Sequence, residues 1–407
     1  MLYHTPWPPS TAKAPILDAT QPIEEEQSPY YHPDRFHPTR LYDVLNNQYQ
    51  IVAKLGHGSG STVWLARDLS RYRWTADKFV TVKIASSRST TRDDGVKDEL
   101  AILQRISGAN PKHHGWNFVR KLIDSFTVHE PKAEHTCTVF EALREPLWLY
   151  RRRFVGNVIP PDILKILLQM VLEGLDYLHS ECHVIHTDLK TDNIMIRFED
   201  PAMPQEVAQD EYNAPLAQKH LNDGRVIYLS RNDFGPLRKP TGVIRITDFD
   251  RAVLGTEAQS GCIQADIYRA PESILDAGYS YPADIWNLGV MLWDLLEGEW
   301  LFQVAKKDSH EYDDRSHIAH ITALLGPKPD GFPFGQRTER FYDSNGHFKH
   351  QDLIPKKSSF EDSITYMQGE EKRMFISFVK RMIKWLPEER STAKQLLEDP
   401  WLQAKAS

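Results

Sequence analysis

The chain has little cysteine, no long apolar run and no surplus of positive charge, and each shortage removes a class of protein. Cys137, Cys182 and Cys262 are the only three cysteines in 407 residues. Odd in number and far apart, they give neither a disulfide framework nor a zinc-ligand spacing, so ordinary thiols in a reducing compartment are expected. No uninterrupted apolar stretch approaches the roughly 18 residues of a membrane span, and the first residues lack the charged and apolar blocks of a secretory signal. Cytoplasm and nucleus are therefore the expected locations, with no membrane partner. The formal net charge of -7 and a pI near 6.2 argue against a direct nucleic-acid partner, which selects a basic surface. They leave room for an acidic groove that takes a basic peptide.

What is present reads as globular: 26% charged and 41% hydrophobic residues, in a length of roughly two to three domain-sized units. Residues 1–45 are rich in proline, with an acidic run Glu24-Glu25-Glu26, and are expected to be a partly disordered extension. Tyr30, Tyr31 and Phe36 are candidates to pin its later part. From Tyr49 the pattern turns to strands around a glycine-rich turn, Leu55-Gly56-His57-Gly58-Ser59-Gly60-Ser61-Thr62-Val63, which brings bare backbone N-H groups together. No Gly-Lys-Ser/Thr follows, so it is not a Walker A loop. Lys83 is embedded in the apolar run Phe79-Val80-Thr81-Val82-Lys83-Ile84. A helical stripe of Val96, Leu100, Ile102, Leu103 and Ile106 carries Glu99. A second stripe takes in Ile163, Leu164, Ile166, Leu167, Met170, Val171, Leu175 and Leu178.

The most informative stretch is 184–196, a polar loop between two apolar clamps: His186-Thr187-Asp188-Leu189-Lys190-Thr191-Asp192-Asn193. On its residues alone it is also a plausible polar turn. Its frame, His-x-Asp-Leu-x-x-x-Asn, matches the protein-kinase catalytic loop except for Thr187, where Arg is usual. Phosphoryl transfer needs positioning and charge neutralisation more than covalent work from the protein. The same order continues with Asp248-Phe249-Asp250, Ala270-Pro271-Glu272, Ala283-Asp284-Ile285-Trp286 and Arg390.

At these motifs the chain resembles a eukaryotic protein kinase over about residues 46–402. The resemblance implies an α+β bilobal fold: a small β-rich N-lobe at 46–143 over a larger helical C-lobe at 144–402, interrupted by an insert at about 199–242, with ATP between the lobes. It implies that Leu55, Gly56, Gly58, Ser61 and Val63 cover the phosphates, and that Lys83, ion-paired to Glu99, grips them. The backbone of Glu141 and Leu143 would meet adenine, with Phe140 at the back of the pocket. Asp188 would accept the hydroxyl proton, Lys190 would neutralise the moving phosphoryl group, and Asn193 and Asp248 would hold Mg2+.

The segments around Leu41-Tyr42-Asp43, Ser61-Thr62-Val63-Trp64, His186-Thr187-Asp188, His317-Ile318-Ala319-His320 and the insert are similar to SR-protein kinases. This implies a monomeric serine/threonine kinase acting on protein substrates, Arg/Ser-rich splicing or mRNA-processing factors. Glu297, Glu299, Asp308, Glu311, Asp313 and Asp314 are candidates for an arginine-binding surface, with a solvated charged face as the plain alternative. Ser61 and Asp250 depart from the glycines expected there, which keeps a pseudokinase scaffold open. The Glu272 and Arg390 pair implied by the resemblance speaks against a small-molecule kinase.

Overall fold

The structure is a computed structural model that describes residues 2–29, 31–87, 99–131, 133–238, 242–304 and 312–404. Tyr30, Val96, Asp308 and Glu311, named above, lie outside the described residues. The chain divides into two compact units, one of Met1–Val96, Arg120–Glu145 and Arg197–Gly242, the other of Lys97–Val119, Pro146–Ile196 and Val243–Ser407.

The first unit is built on a six-stranded antiparallel sheet of β1 (Val44–Leu45), β2 (Tyr49–Gly58), β3 (Ser61–Asp68), β4 (Phe79–Ala85), β5 (Leu122–Glu130) and β6 (Ala133–Glu141), in the order β1-β2-β3-β4-β6-β5. Because side chains alternate across a strand, Ile51, Trp64, Val80, Val82, Cys137 and Val139 pack on one face. Val52, Ala53 and Leu65 face the other way, where Val207 and Ala208 cover them. Those two residues belong to the helix Met203–Asn213. The stretch from Tyr49 reads as alternating apolar residues in sequence, but the insert's helix leaves both faces of β2 and β3 largely buried.

The proline-rich N-terminal residues lie along the same unit. The backbone of Trp7 exchanges two 2.8 Å hydrogen bonds with the side chain of Gln50. The Gln218 backbone is bracketed by Pro15 and Leu17. Lacking a period of their own, these residues take their order from the sheet and the insert.

The second unit is mainly helical. Its central helix, Pro282–Leu296, is buried at every position from Ala283 to Leu296, including the polar Asp284, Asn287 and Asp294, whose burial requires hydrogen-bond partners. The helix Pro161–Asp176 starts with proline in its first turn and Asp162 close by, both favourable at a helix N-terminus. Leu164, Leu167, Leu168, Val171, Leu172 and Leu175 form its buried face. Ile166, placed on that stripe by sequence, is instead 58% exposed. Lys165 is buried in its stead, because its ammonium reaches Glu371 at 2.8 Å and lies 5.3 Å from the centre of the Trp401 ring. Among the described residues no helix is long and apolar enough to cross a membrane. Cys137 and Cys182 are buried free thiols, and Cys262 is an exposed one.

Candidate active site

Two short strand pairs in the second unit clamp the loop 186–193. Val184–Ile185 pairs with Val253–Leu254 on one side, and Ile194 to Ile196 pairs with Ile244 to Ile246 on the other. Between the clamps the polar groups are satisfied by one another. Lys190 Nζ lies 3.0 Å from Asp188 Oδ2. Asn193 Nδ2 donates to the Asp188 carbonyl at 2.9 Å and to its carboxylate at 3.3 Å. That orientation leaves Asn193 Oδ1, the better cation ligand, turned away from Asp188.

Beneath the loop, Asp284 accepts the backbone N-H of His186 at 2.8 Å and of Thr187 at 2.9 Å. His179 Nε2 also sits 2.9 Å from this carboxylate. Thr187 has φ of +66°, an unfavourable region for a β-branched residue. Its hydroxyl is turned onto the Arg251 carbonyl at 2.7 Å. The loop is thereby tied to the segment after Asp248.

The same holds for Asp248 itself. Thr247 donates both its N-H and its hydroxyl to the Asn193 carbonyl, at 2.8 and 3.1 Å. The Thr247 carbonyl lies 2.9 Å from His186 Nε2. Asp248 follows with φ of +65° and an exposed side chain. Phe249 is buried with its ring 5.2 Å from that of His186. Asp250 is absent from the positive-φ residues, so its Cβ meets no backbone strain where a glycine was expected. Asp188, Lys190 and Asn193 are therefore joined by hydrogen bonds and an ion pair, and Asp248 is the chain neighbour of Thr247, which is bonded to Asn193. Among the described residues no group of three or more His, Cys, Asp or Glu side chains is poised to hold a metal. An amide oxygen and one carboxylate nevertheless suit Mg2+, which keeps waters and phosphate oxygens as its other ligands.

After Asp250 the chain is fastened by backbone and amide hydrogen bonds and by a buried ion pair. Gly255 N-H donates to the His183 carbonyl at 2.8 Å. Gln264 bonds Asn287, the Ala283 carbonyl and the Ala270 N-H. Glu272 and Arg390 form a fully buried fork, with two bonds of 2.6 and 2.7 Å. Of the acidic candidates for arginine binding, Asp313 caps the helix Asp314–Leu325 and pairs with Arg315. Asp314 pairs with Arg269 and Arg337. Glu297 accepts from Thr365 and Tyr366. Glu299 is exposed.

The other candidates lie on the sheet of the first unit. Gly58 stands opposite Ser61 at the turn between β2 and β3, and Gly56 opposite Val63. A Cβ on Gly56 would meet nothing within 4 Å, and one on Gly58 would approach the Ser61 hydroxyl to 3.2 Å. Leu55 is half-buried. Lys83 on β4 is paired with Val63 on one side and Thr138 on the other, with Val82 and Ile84 buried beside it. Glu141 ends β6, and Leu143 is buried two residues on. Arg120 stacks 4.4 Å from the Phe140 ring and donates to the Glu141 carbonyl at 3.3 Å. The Glu141 carboxylate meets Arg197 at 2.6 Å. Glu99 opens the helix Glu99–Gly108 in the second unit.

Some residues at this site carry no motif. Asp294, on the same helix as Asp284, accepts from Thr191 and Tyr268. A lone carboxylate in the apolar run Leu292 to Leu296 was the available signal, since a buried charge needs partners. Arg144 bonds Glu199 and the carbonyls of Phe234 and Gly235. These three partners lie more than fifty residues away, and nothing local announces them.

A protein kinase domain model matches residues 49–402. A serine/threonine protein kinase of Aspergillus fumigatus is 38% identical over 98% of this chain and 96% of its own length. The serine/threonine-protein kinase SRPK of Physarum polycephalum is 30% identical over 93% of this chain and 91% of its own. SRSF protein kinase 3 of Homo sapiens is 24% identical over 93% and 90% respectively. A crystal structure of a kinase domain superposes with a TM-score of 0.66 at 21% identity, covering 90% of this chain and 99% of that one.

Proposed function

The chain belongs to the protein kinase family, as a serine/threonine kinase akin to the SR-protein kinases, and on that premise we propose that it phosphorylates serines in Arg/Ser-rich segments of RNA-processing proteins. The observation that carries the catalytic part is the loop network, in which Asp188, Lys190 and Asn193 lie within hydrogen-bonding distance of one another.

Asp188 accepts the proton of the attacking serine, and Lys190, already beside it, neutralises the phosphoryl group in transit. Asn193 Oδ1 and the exposed Asp248 carboxylate would hold Mg2+, which would supply charge neutralisation at the phosphate oxygens. Lys83 and the glycine-rich turn would hold the triphosphate. Glu141 and Leu143 offer backbone groups to adenine; the Glu141 carbonyl has a second lone pair besides the one Arg120 uses. The substrate class is supported by the kinship with SRPK and SRSF protein kinase 3.

The test is Mg-ATP with a synthetic Arg/Ser peptide and its Lys/Ser counterpart. Wild type is expected to phosphorylate the Arg/Ser peptide with the higher kcat/KM, because lysine cannot form a two-bond fork with a carboxylate. Asp188→Asn is expected to lower kcat by about a thousandfold while still binding ATP. Equal preference for both peptides removes the substrate reading. ATP binding with no transfer by wild type turns the protein into a scaffold.

A further inference from the structure

We propose that Glu24 and Glu25, in the N-terminal segment, are positioning residues for the glycine-rich turn and set how tightly the kinase holds ATP. The inference rests on the reading of Gly56, Gly58 and Ser61 as the phosphate-binding turn. Neither glutamate touches ATP in this scheme. Both act through β2.

The starting observation is Lys54, whose side chain is 1% exposed in the middle of β2. A buried ammonium is tolerated only where charge and hydrogen bonds meet it. Here its Nζ bonds the Glu25 carboxylate and the Tyr228 carbonyl, the latter at 3.0 Å, with Glu24 Oε2 at 3.5 Å. The Lys54 carbonyl in turn accepts the Arg231 N-H at 2.8 Å. The strand is therefore fixed, at the residue just before Leu55 and Gly56, by one segment from the N-terminus and one from the insert.

A second contact reaches into the turn. His57, the residue between the two glycines, places Nε2 3.6 Å from Glu24 Oε2. The same Glu24 carboxylate accepts the Ser230 N-H and hydroxyl, at 2.9 and 2.6 Å. Glu26 completes the grip by accepting from Lys219 Nζ at 2.8 and 2.9 Å. Glu24 also sits at φ of +51°. A non-glycine residue persists in that region only when its surroundings over-determine it, so the contacts hold this short turn against its own backbone preference.

The strand ladder holds the two arms of the turn, with Gly58 opposite Ser61, and the Ser86 N-H donates to the Gly60 carbonyl at 2.8 Å. Side-chain packing adds little: Gly56 has open space around its Cβ position, and His57, Ser59 and Gly60 are exposed. The anchorage at Lys54 and His57 adds a side-chain constraint on where its backbone N-H groups point. Loosening that anchorage widens the positions the turn samples. Fewer of them match the phosphates, so ATP affinity falls while the proton transfer at Asp188 is unaffected.

The experiment uses the full chain with Glu24→Gln and Glu25→Gln, measuring kcat, the KM for ATP, the KM for peptide, and the Mg-ATP dissociation constant by calorimetry. Glu24→Gln leaves the Lys54 to Glu25 pair in place and so keeps the fold. It is expected to raise both ATP constants about fivefold, with kcat and the peptide KM within about twofold of wild type. Glu25→Gln strands the Lys54 charge and is expected to have the larger effect. Should it not fold, Glu24→Gln decides alone. Unchanged ATP constants in folded Glu24→Gln, or a fall in kcat at constant KM, overturn the proposal. Failure of wild type to bind Mg-ATP at all is a different result: it removes the phosphate-binding reading itself, and the positioning role with it.

Discussion

Asp284 holds Thr187 by a 2.9 Å hydrogen bond to its backbone N-H, and Thr187 keeps a left-handed backbone there. One carboxylate on a buried helix thus dictates the shape of the loop that carries Asp188. Replacing Asp284 by Asn removes the charge and one of two acceptor oxygens while keeping the volume. A displacement of Asp188 by about an ångström costs on the order of a hundredfold in rate. Steady-state kinetics of Asp284→Asn should show kcat reduced by about 10- to 100-fold, with the KM for ATP little altered.

The usual arginine at position 187 receives an activation-segment phosphate, and a threonine has no charge to offer one. Here Thr187 spends its hydroxyl on the Arg251 carbonyl, and the segment is fastened by Gly255, Gln264 and Asn287. Activity should therefore persist after phosphatase treatment and in the Thr256→Ala/Ser260→Ala double variant. A loss of turnover in either preparation would contradict this reading.

Arg390 and Glu272 are both buried and bonded twice. Removing one partner leaves the other as an uncompensated buried charge. Arg390→Ala should lower the unfolding free energy by about 3–5 kcal/mol, measured by chemical denaturation. Replacing both by apolar residues of similar volume, Arg390→Met with Glu272→Leu, should restore much of that loss.

His317 is fully buried, and desolvation, reinforced by Arg269 and His320, holds its pKa down at about 3, against an ordinary value of 6.5. Below pH 6.5 the unfolded chain binds a proton that the native state refuses. Its contribution is thus complete above pH 6.5 and is lost as pH falls toward 3. At pH 5 the difference is worth about 2 kcal/mol. Denaturation of wild type and His317→Gln at pH 7 and pH 5 should show the wild type losing about that much more.

How far the sequence could be read depended on the range of the interactions. The catalytic loop, the Asp248 triplet and the Glu272 to Arg390 series are short words with fixed chemistry, and each was visible in place. The helix Pro161–Asp176 was legible to within two residues because its period is local. Ile166 misled because composition does not reveal that Lys165 has an acidic partner two hundred residues away. The insert was harder still. Its helix carries only Val207 and Ala208 onto the sheet, too few apolar residues to announce a face. The N-terminal residues were opaque for the same reason: their order is borrowed from Gln50, Lys54 and Gln218, none of which is close in sequence.

The sheet-bearing unit is assembled from three separated stretches, the last ending at Gly242. A ribosome making this protein therefore releases Val52 and Leu65 long before Val207 and Ala208 exist to cover them. At ordinary elongation speeds of about 5–20 residues per second, that gap lasts roughly 7 to 30 s. For that interval the nascent polypeptide lacks the Val207 and Ala208 cover of this strand face, so its yield in cells should depend on chaperones and on translation speed between codons 66 and 208.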